Sequence, residues 1–204
     1  MARKYFPHNS VIFCTSRIEQ GLPLVCTHNL NFIINGILAK ATSIYNVEVN
    51  HHIFMSNHFH IILRVINPED VQAFFRYIKT EIAHAVNRLL GRRKRTVWVD
   101  RYDSPIVLDA EKLLHLVTYL YLNPVKANLV ESIDHYPGVS SWKMFKDDVL
   151  KSSLVTVFKK RFLKSSLVTV LITKQLSLNA TLFALLALWF KIKQYYLCLS
   201  PPMF

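Results

Sequence analysis

The chain has 204 residues, with 25 Lys+Arg against 13 Asp+Glu, a formal charge of +12 and a sequence pI near 9.7. That length suits one domain with a real core plus an appendage. The cationic excess speaks against basic partners and favours a polyanion, nucleic acid first, with a merely basic soluble protein as the bland alternative. Three scattered cysteines (Cys14, Cys26, Cys198) without a CxxC indicate neither a disulfide framework nor a cysteine zinc site, and fit free thiols in a reducing cytoplasm. Residues 1–8 contain no apolar h-region, so no signal peptide is expected.

Residues 10–15 (SVIFCT) predict a first strand and residues 20–23 a turn. Residues 28–43 carry Leu30, Phe32, Ile33, Ile37 and Leu38 at helical spacing. Residues 47–54 and 58–65 predict two strands, and the short Met55-Ser56-Asn57 link makes them a hairpin. Asn67-Pro68-Glu69-Asp70 opens a helix, with proline just inside and acids in the first turn. This helix runs to Leu90 with Val71, Phe74, Phe75, Ile78, Ile82, Val86 and Leu89 on one face, and Gly91 ends it. After Arg92-Arg93-Lys94-Arg95 and Val97-Trp98-Val99, residues 104–108 predict a fourth strand. A last helix starts at Asp109 or Ala110 and reaches about Asn123, marked by Leu113, Leu114, Val117, Leu120 and Tyr121. The order βαββαβ followed by a helix predicts an α+β, ferredoxin-like sandwich, an antiparallel sheet with helices on one face. It is assigned to residues 1–145.

Residues 146–204 differ in character and predict a helical tail of unknown role. Residues 150–157 (LKSSLVTV) recur verbatim as 163–170, a spacing that fits no solenoid period. Residues 176–190 (LSLNATLFALLALWF) are strongly apolar, yet their unbroken part is shorter than the ~20 residues of a membrane span. A packed or loosely attached helical tail is the reading preferred over a membrane segment. A duplicated or frame-shifted 3′ end is the remaining alternative.

The chemistry concentrates in Met55-Ser56-Asn57-His58-Phe59-His60-Ile61-Ile62-Leu63. On a strand, alternate residues share a side, so His58 and His60 face one way and Phe59 the other. Two imidazoles side by side on a rigid strand form a pair of metal ligands. Such a site wants a third ligand, an open position and a nucleophile. The last helix offers Tyr119, Tyr121 and Asn123; Tyr119 and Asn123 share a face one turn apart, and Tyr121 points roughly opposite. The competing reading of His58 and His60 as polar residues on a solvated sheet face loses ground to that pairing. His51 and His52 face opposite ways and read as structural, and Tyr121 reads as a packing aromatic. The basic run Arg92, Arg93, Lys94 and Arg95, with Arg76, Lys79 and Arg88 on the preceding helix, reads as a DNA-backbone surface, the alternative being a solvated loop. Trp98, Tyr102 and Trp142 are candidates for stacking on unpaired bases, with core packing preferred for both tryptophans. Asp100 and Asp103 read as caps or turns rather than site acids.

The segment around His58 and His60 resembles the MPNHxH segment of single-tyrosine HUH (His-hydrophobic-His) transposases, the insertion-sequence-200-like group. Tyr119-Leu120-Tyr121-Leu122-Asn123-Pro124-Val125-Lys126-Ala127-Asn128-Leu129-Val130 resembles their YxxxNPVxAxLV segment, especially in the REP-associated tyrosine transposase branch. Residues 98–104 (WVDRYDS) and 136–142 (YPGVSSW) extend the resemblance, which spans about residues 5 to 145. It implies a transposase that cuts and rejoins single-stranded DNA at element ends through a 5′-phosphotyrosine link. It further implies a divalent ion, Mg²⁺ or Mn²⁺, and single-stranded or hairpin DNA as partner. Tyr119 is then the nucleophile, His58 and His60 are metal ligands, and Asn123 stands where the family places a third ligand, often glutamine. The chain has Ser56 where proline is usual, Asn128 where glycine is common and Gly138 where tryptophan is common. The resemblance leaves homodimer and monomer open, and a cytoplasmic, nucleoid-associated protein is expected. A decayed or domesticated protein that holds hairpin DNA without cutting is the alternative. A histidine-based nucleotide hydrolase is disfavoured, because Ile62 stands where a third alternate histidine would be needed.

Overall fold

In a computed structural model, residues 4–19, 22, 28–93, 95–99 and 102–151 are described. The elements are β1 (Val11–Arg17), α1 (His28–Ile44), β2 (Val47–Phe54), β3 (His58–Val65), α2 (Pro68–Leu89), β4 (Ile106–Val107), α3 (Ala110–Lys126), a 3₁₀ turn (Ile133–His135) and α4 (Trp142–Lys151). The sheet order is β2-β3-β1-β4 with every neighbouring pair antiparallel, the ferredoxin-like arrangement that the βαββαβ order predicts. The expected turn at 20–23, apart from Leu22, together with Lys94, Asp100 and the repeated apolar tail, lies outside the described residues. The helix α4 spans the expected boundary at 145.

β1 and β3 bury side chains on both faces, which explains their near-continuous apolar sequence. On one face Ile12, Cys14, Phe59, Ile61, Leu63 and Val65 pack against Ile34 and Leu38 of α1 and Phe74, Phe75, Ile78 and Ile82 of α2. On the other, Phe13, Ile53 and Ile62 pack against Val117, Leu120 and Tyr121 of α3, joined by Ile133 and Trp142. The crossover helices α1 and α2 thus share one face, as expected. The third helix, which the sequence places after the sandwich, covers the second face.

Three local devices set up the functional face. First, the β2–β3 register shifts between Val49 and His51. Val47 and Val49 pack with the α1/α2 layer, whereas beyond the bulge Ile53 packs with α3. His51 opposes Ile62, and its Nδ1 reaches the Tyr121 hydroxyl of α3 at 2.9 Å. Second, β4 is shorter than the five residues expected. The segment still lies along β1, with Thr15 bonded to Asp103 and the Phe13 N–H donating to Pro105 O at 3.0 Å. Pro105 has no N–H to return, and this interrupts the ladder. Third, α3 continues past Asn123 through Pro124 to Lys126.

Helix ends follow their caps. Asn67 accepts from the Glu69 N–H, and Pro68 occupies the first helical position of α2. Gly91 adopts φ 62° beyond the end of α2, with its N–H on Arg88 O and the Arg92 N–H on Asn87 O. Asp109 caps α3 by accepting from the Lys112 N–H at 2.6 Å. Asn128 takes the same left-handed role at the far end of α3, with φ 53° and bonds from Asn128 N–H to Val125 O and Leu129 N–H to Pro124 O. Asparagine is the non-glycine residue that tolerates this region best, which accounts for Asn128 where glycine is common. Gly138 has a different reason: a Cβ there would meet the Tyr136 ring at 2.5 Å, and that ring's hydroxyl donates to Phe54 O.

Replacing Asn128 tests the cap. Asn128→Gly is expected to leave the thermal midpoint unchanged or raise it, whereas Asn128→Val is expected to cost about 1–2 kcal/mol by forcing a β-branched side chain to φ > 0. Thermal and urea melts of both variants check this.

Candidate active site

His58 and His60 leave the start of β3 on the α3 side of the sheet, in register with Arg17 and Thr15 of β1. Their ring centroids are 4.7 Å apart at 77°. His60 is 3% exposed and stacks on Phe13, centroid to centroid 5.2 Å. Its Nε2 accepts from the Asn123 amide of α3 at 3.0 Å. The opposite nitrogen, Nδ1, therefore carries the proton and donates to the Thr15 hydroxyl at 2.8 Å. His58 is half-buried, and its Nδ1 donates to Asn57 Oδ1 at 2.6 Å, which leaves Nε2 with the lone pair. Thr15 and Asn57 hold both rings in the same tautomer, the form that metal-binding imidazoles adopt through Nε2.

Tyr119 stands over this pair. Its ring centroid lies 5.3 Å from that of His60 and 6.3 Å from that of Phe13. The side chain is 41% exposed, so the ring is fixed on one side and open to a substrate on the other. Lys126, two turns further along α3, places Nζ 5.6 Å from the Tyr119 ring centroid. Tyr119, Asn123 and Lys126 thus form one stripe of α3 at i, i+4 and i+7.

The electrostatics keep the imidazoles neutral. Burial pushes the His60 pKa down to about 3, helped by the like charges of His58 and Arg17. Burial and then Arg17 lower His58 in the same direction. Neutral rings are what a metal requires, since a protonated imidazole has no lone pair to give. Among the described residues, no group of three or more His, Cys, Asp or Glu is placed to hold a metal. The atoms that could hold one are therefore Nε2 of His58, Nε2 of His60 in place of its bond from Asn123, and the Asn123 Oδ1 once the amide turns.

The other expected residues divide cleanly. Tyr121 is buried and hydrogen-bonded to His51 and to Ser141 Oγ, and it stacks on Phe145, so it packs as expected. Its phenol is held well above the usual range by burial. His52 is buried on the opposite face beside Phe54. Trp98 and Trp142 are packing residues: Trp98 Nε1 donates to Lys79 O, and Trp142 Nε1 donates to Asp134 Oδ1. Tyr102, a candidate for base stacking, stacks instead on Phe75 at 4.4 Å with Lys4 above it. Asp103 accepts from the Ser104 N–H, a turn role. Arg76, Lys79 and Arg88 lie on α2, behind the sheet relative to Tyr119, and Lys79 covers the Trp98 ring. Arg92, Arg93 and Arg95 follow α2 into a segment whose Val97 O and Val99 N–H bond to Glu19 and Arg17, at the same sheet end as His58. Thr15, Arg17, Asn57 and Lys126 were not expected at the centre. Thr15 and Arg17 had only position as a sequence signal, two and four residues past Phe13 on a strand, whereas Asn57 and Lys126 stood inside the two quoted segments without a role.

The family profile for IS200-like transposases matches residues 11–122. A REP-associated tyrosine transposase of Escherichia coli (strain K12) is 22% identical over 136 residues, 66% of this chain and 78% of that protein. A solved REP-associated tyrosine transposase bound to a REP hairpin superposes with a TM-score of 0.60 at 22% identity, covering 74% of this chain and 86% of that one. Among the described residues, no helix is long and apolar enough to cross a membrane.

Buried neutral histidines make stability depend on pH. His52 and His60 are depressed from 6.5 to about 4 and about 3 in the folded chain, so below pH 6.5 the unfolded chain binds more protons. Stability is full above that pH and falls as pH drops toward those values, by up to about 1.4 kcal/mol per pH unit for each ring. Urea midpoints are expected to be lower at pH 5 than at pH 7, and the difference is expected to shrink in His52→Leu.

Proposed function

For a chain that belongs to the IS200-like transposase family, we propose that Tyr119 cleaves and rejoins single-stranded DNA at element ends through a 5′-phosphotyrosine link. One observation carries this reading. Tyr119 and Asn123, from a segment some sixty residues downstream, converge on His60, with the Tyr119 ring at 5.3 Å and the Asn123 amide at 3.0 Å. That His58, Tyr119 and Asn123 all contact His60 favours cutting over hairpin binding without cutting.

The step is a phosphoryl transfer. Tyr119 Oη forms a bond to phosphorus, the bond from phosphorus to the 3′ oxygen breaks, and the phenol proton ends on that oxygen as a free 3′-OH. Attack of a 3′-OH on the phosphotyrosine reverses the exchange, so the bond energy is kept and no nucleotide triphosphate is consumed. His58, His60 and Asn123 would hold Mg²⁺ or Mn²⁺, which when bound supplies charge neutralisation at the phosphate oxygens. Thr15 and Asn57 keep the proton on Nδ1 and the lone pair on Nε2 of each imidazole. Phe13 excludes water from one side of His60 and fixes the plane of its ring.

The substrate follows from the same reading. The structural neighbour's hairpin complex and the +12 charge of this chain support a single-stranded or hairpin DNA partner. Arg92, Arg93 and Arg95, at the His58 end of the sheet, are better placed to meet DNA that reaches Tyr119 than Arg76 and Lys79 are.

The test is a denaturing gel. Wild-type protein incubated with labelled hairpin-tailed single-stranded DNA and Mn²⁺ is expected to give a covalent adduct that chelator prevents. Tyr119→Phe is expected to give none, and Tyr121→Phe is expected to keep it with reduced thermal stability. An adduct surviving in Tyr119→Phe would reject the assignment.

A further inference from the structure

Among the described residues, the centre around Tyr119 contains cations and neutral groups. Arg17 is exposed at the end of β1, is the register partner of His58, and therefore shares its sheet face. Lys126 is exposed at the end of α3 beyond Tyr119. Neither joins an ion pair among the described residues, where the pairs are Arg64–Glu48, His84–Glu81, His115–Glu111 and Lys146–Asp134. No described carboxylate acts on His58 or His60; the charges that do are Arg17 on both and His58 on His60. Asp103, across β1 from Thr15, is exposed and turned to the Ser104 N–H.

This distribution has a physical consequence. Carboxylates normally neutralise a hard dication, and here the nearest of the described side chains are neutral or positive. A divalent ion entering alone meets two neutral imidazoles, one amide and the repulsion of Arg17 and Lys126. A phosphodiester entering alone meets two cations, Arg17 beside His58 on the sheet and Lys126 beside the Tyr119 ring on α3. Only the two together cancel.

We propose that Arg17 and Lys126 form a clamp on the phosphodiester that Tyr119 attacks, and that this clamp makes divalent-ion binding and DNA binding mutually dependent. The proposal rests on the Tyr119 reading above and deepens it. Linkage makes the dependence reciprocal: the factor by which DNA tightens the ion equals the factor by which the ion tightens DNA. The chain therefore stays largely metal-free until DNA is seated.

The experiment uses the full chain, a hairpin-tailed single-stranded oligonucleotide and Mn²⁺, with Mn²⁺ binding read by electron paramagnetic resonance and DNA binding by fluorescence anisotropy across salt concentrations. Wild type is expected to bind Mn²⁺ on the order of tenfold more tightly with DNA present, and DNA more tightly by the same factor with Mn²⁺ present. Arg17→Gln and Lys126→Gln are expected to weaken metal-free DNA binding several-fold and to lower the salt slope by about one each. Without DNA, neither variant is expected to bind Mn²⁺ more weakly than wild type, and Arg17→Gln is expected to bind it more tightly. Lys40→Gln, at the far end of α1, is the reference for loss of one surface charge, and thermal melts confirm that each variant is folded. Equal Mn²⁺ affinity with and without DNA, or Arg17→Gln and Lys126→Gln binding DNA as Lys40→Gln does, would overturn the clamp. Failure of the underlying reading looks different: no Tyr119-dependent adduct while the reciprocal coupling persists.

Discussion

β1 and β3 send large apolar side chains to both sides of the sheet, and each side must be covered. Ile12, Cys14, Phe59 and Ile61 require the α1/α2 layer, whereas Phe13, Ile53 and Ile62 require α3. Burial of these groups is worth about 1.5–3 kcal/mol per large side chain, so the second layer is held by packing rather than by its polar contacts. Because Phe13 and Ile62 belong to the same face as His60, the helix that covers them is also brought over the histidine pair. Tyr119 and Asn123 reach His60 because their neighbours on α3, Val117, Leu120 and Tyr121, are docked on this face of the sheet.

His60 is polar and nearly inaccessible, a combination that costs free energy unless both ring nitrogens are satisfied. Thr15 and Asn123 satisfy them from opposite elements, one strand and one helix. The same two bonds fix the tautomer, while burial and the charges of His58 and Arg17 suppress protonation. A ring built this way stays neutral across the physiological range without an acidic neighbour among the described residues. Tyr119 by contrast is held through its ring, by Phe13, His60 and Lys126, and among the described residues its hydroxyl has no hydrogen bond.

Much of this was legible in the sequence. Period-two alternation through His58-Phe59-His60, the Asn67-Pro68 cap, Gly91 and the helical spacing of Tyr119 and Asn123 placed the fold, and the HxH and YxxxNPV segments supplied the resemblance. These signals are local, because hydrophobic period and cap chemistry act over a few residues. What escaped depends on pairing between distant strands. Thr15 and Arg17 gain meaning only through the β1–β3 register, and Lys126 only once α3 is known to run past Pro124. The basic helix residues misled in the opposite way: charge on α2 was read without knowing which face of the sheet that helix covers, and Arg76 and Lys79 lie behind it. Tyr102 looked available for stacking because nothing in sequence revealed Phe75 beneath it.

The irregularity in β2 between Val49 and His51 has a consequence beyond local geometry. It reverses which side chains of the strand look toward α3, so that Val47 and Val49 serve one layer while His51 and Ile53 serve the other. Substitutions along this strand act on one layer at a time. Loss of a single residue would exchange the two sides for half the strand, withdrawing His51 from Tyr121 and Ile53 from beneath α3. The strand is therefore intolerant of changes in length, and the odd extra residue in it does as much to seat α3 over the sheet as the apolar residues of the neighbouring strand.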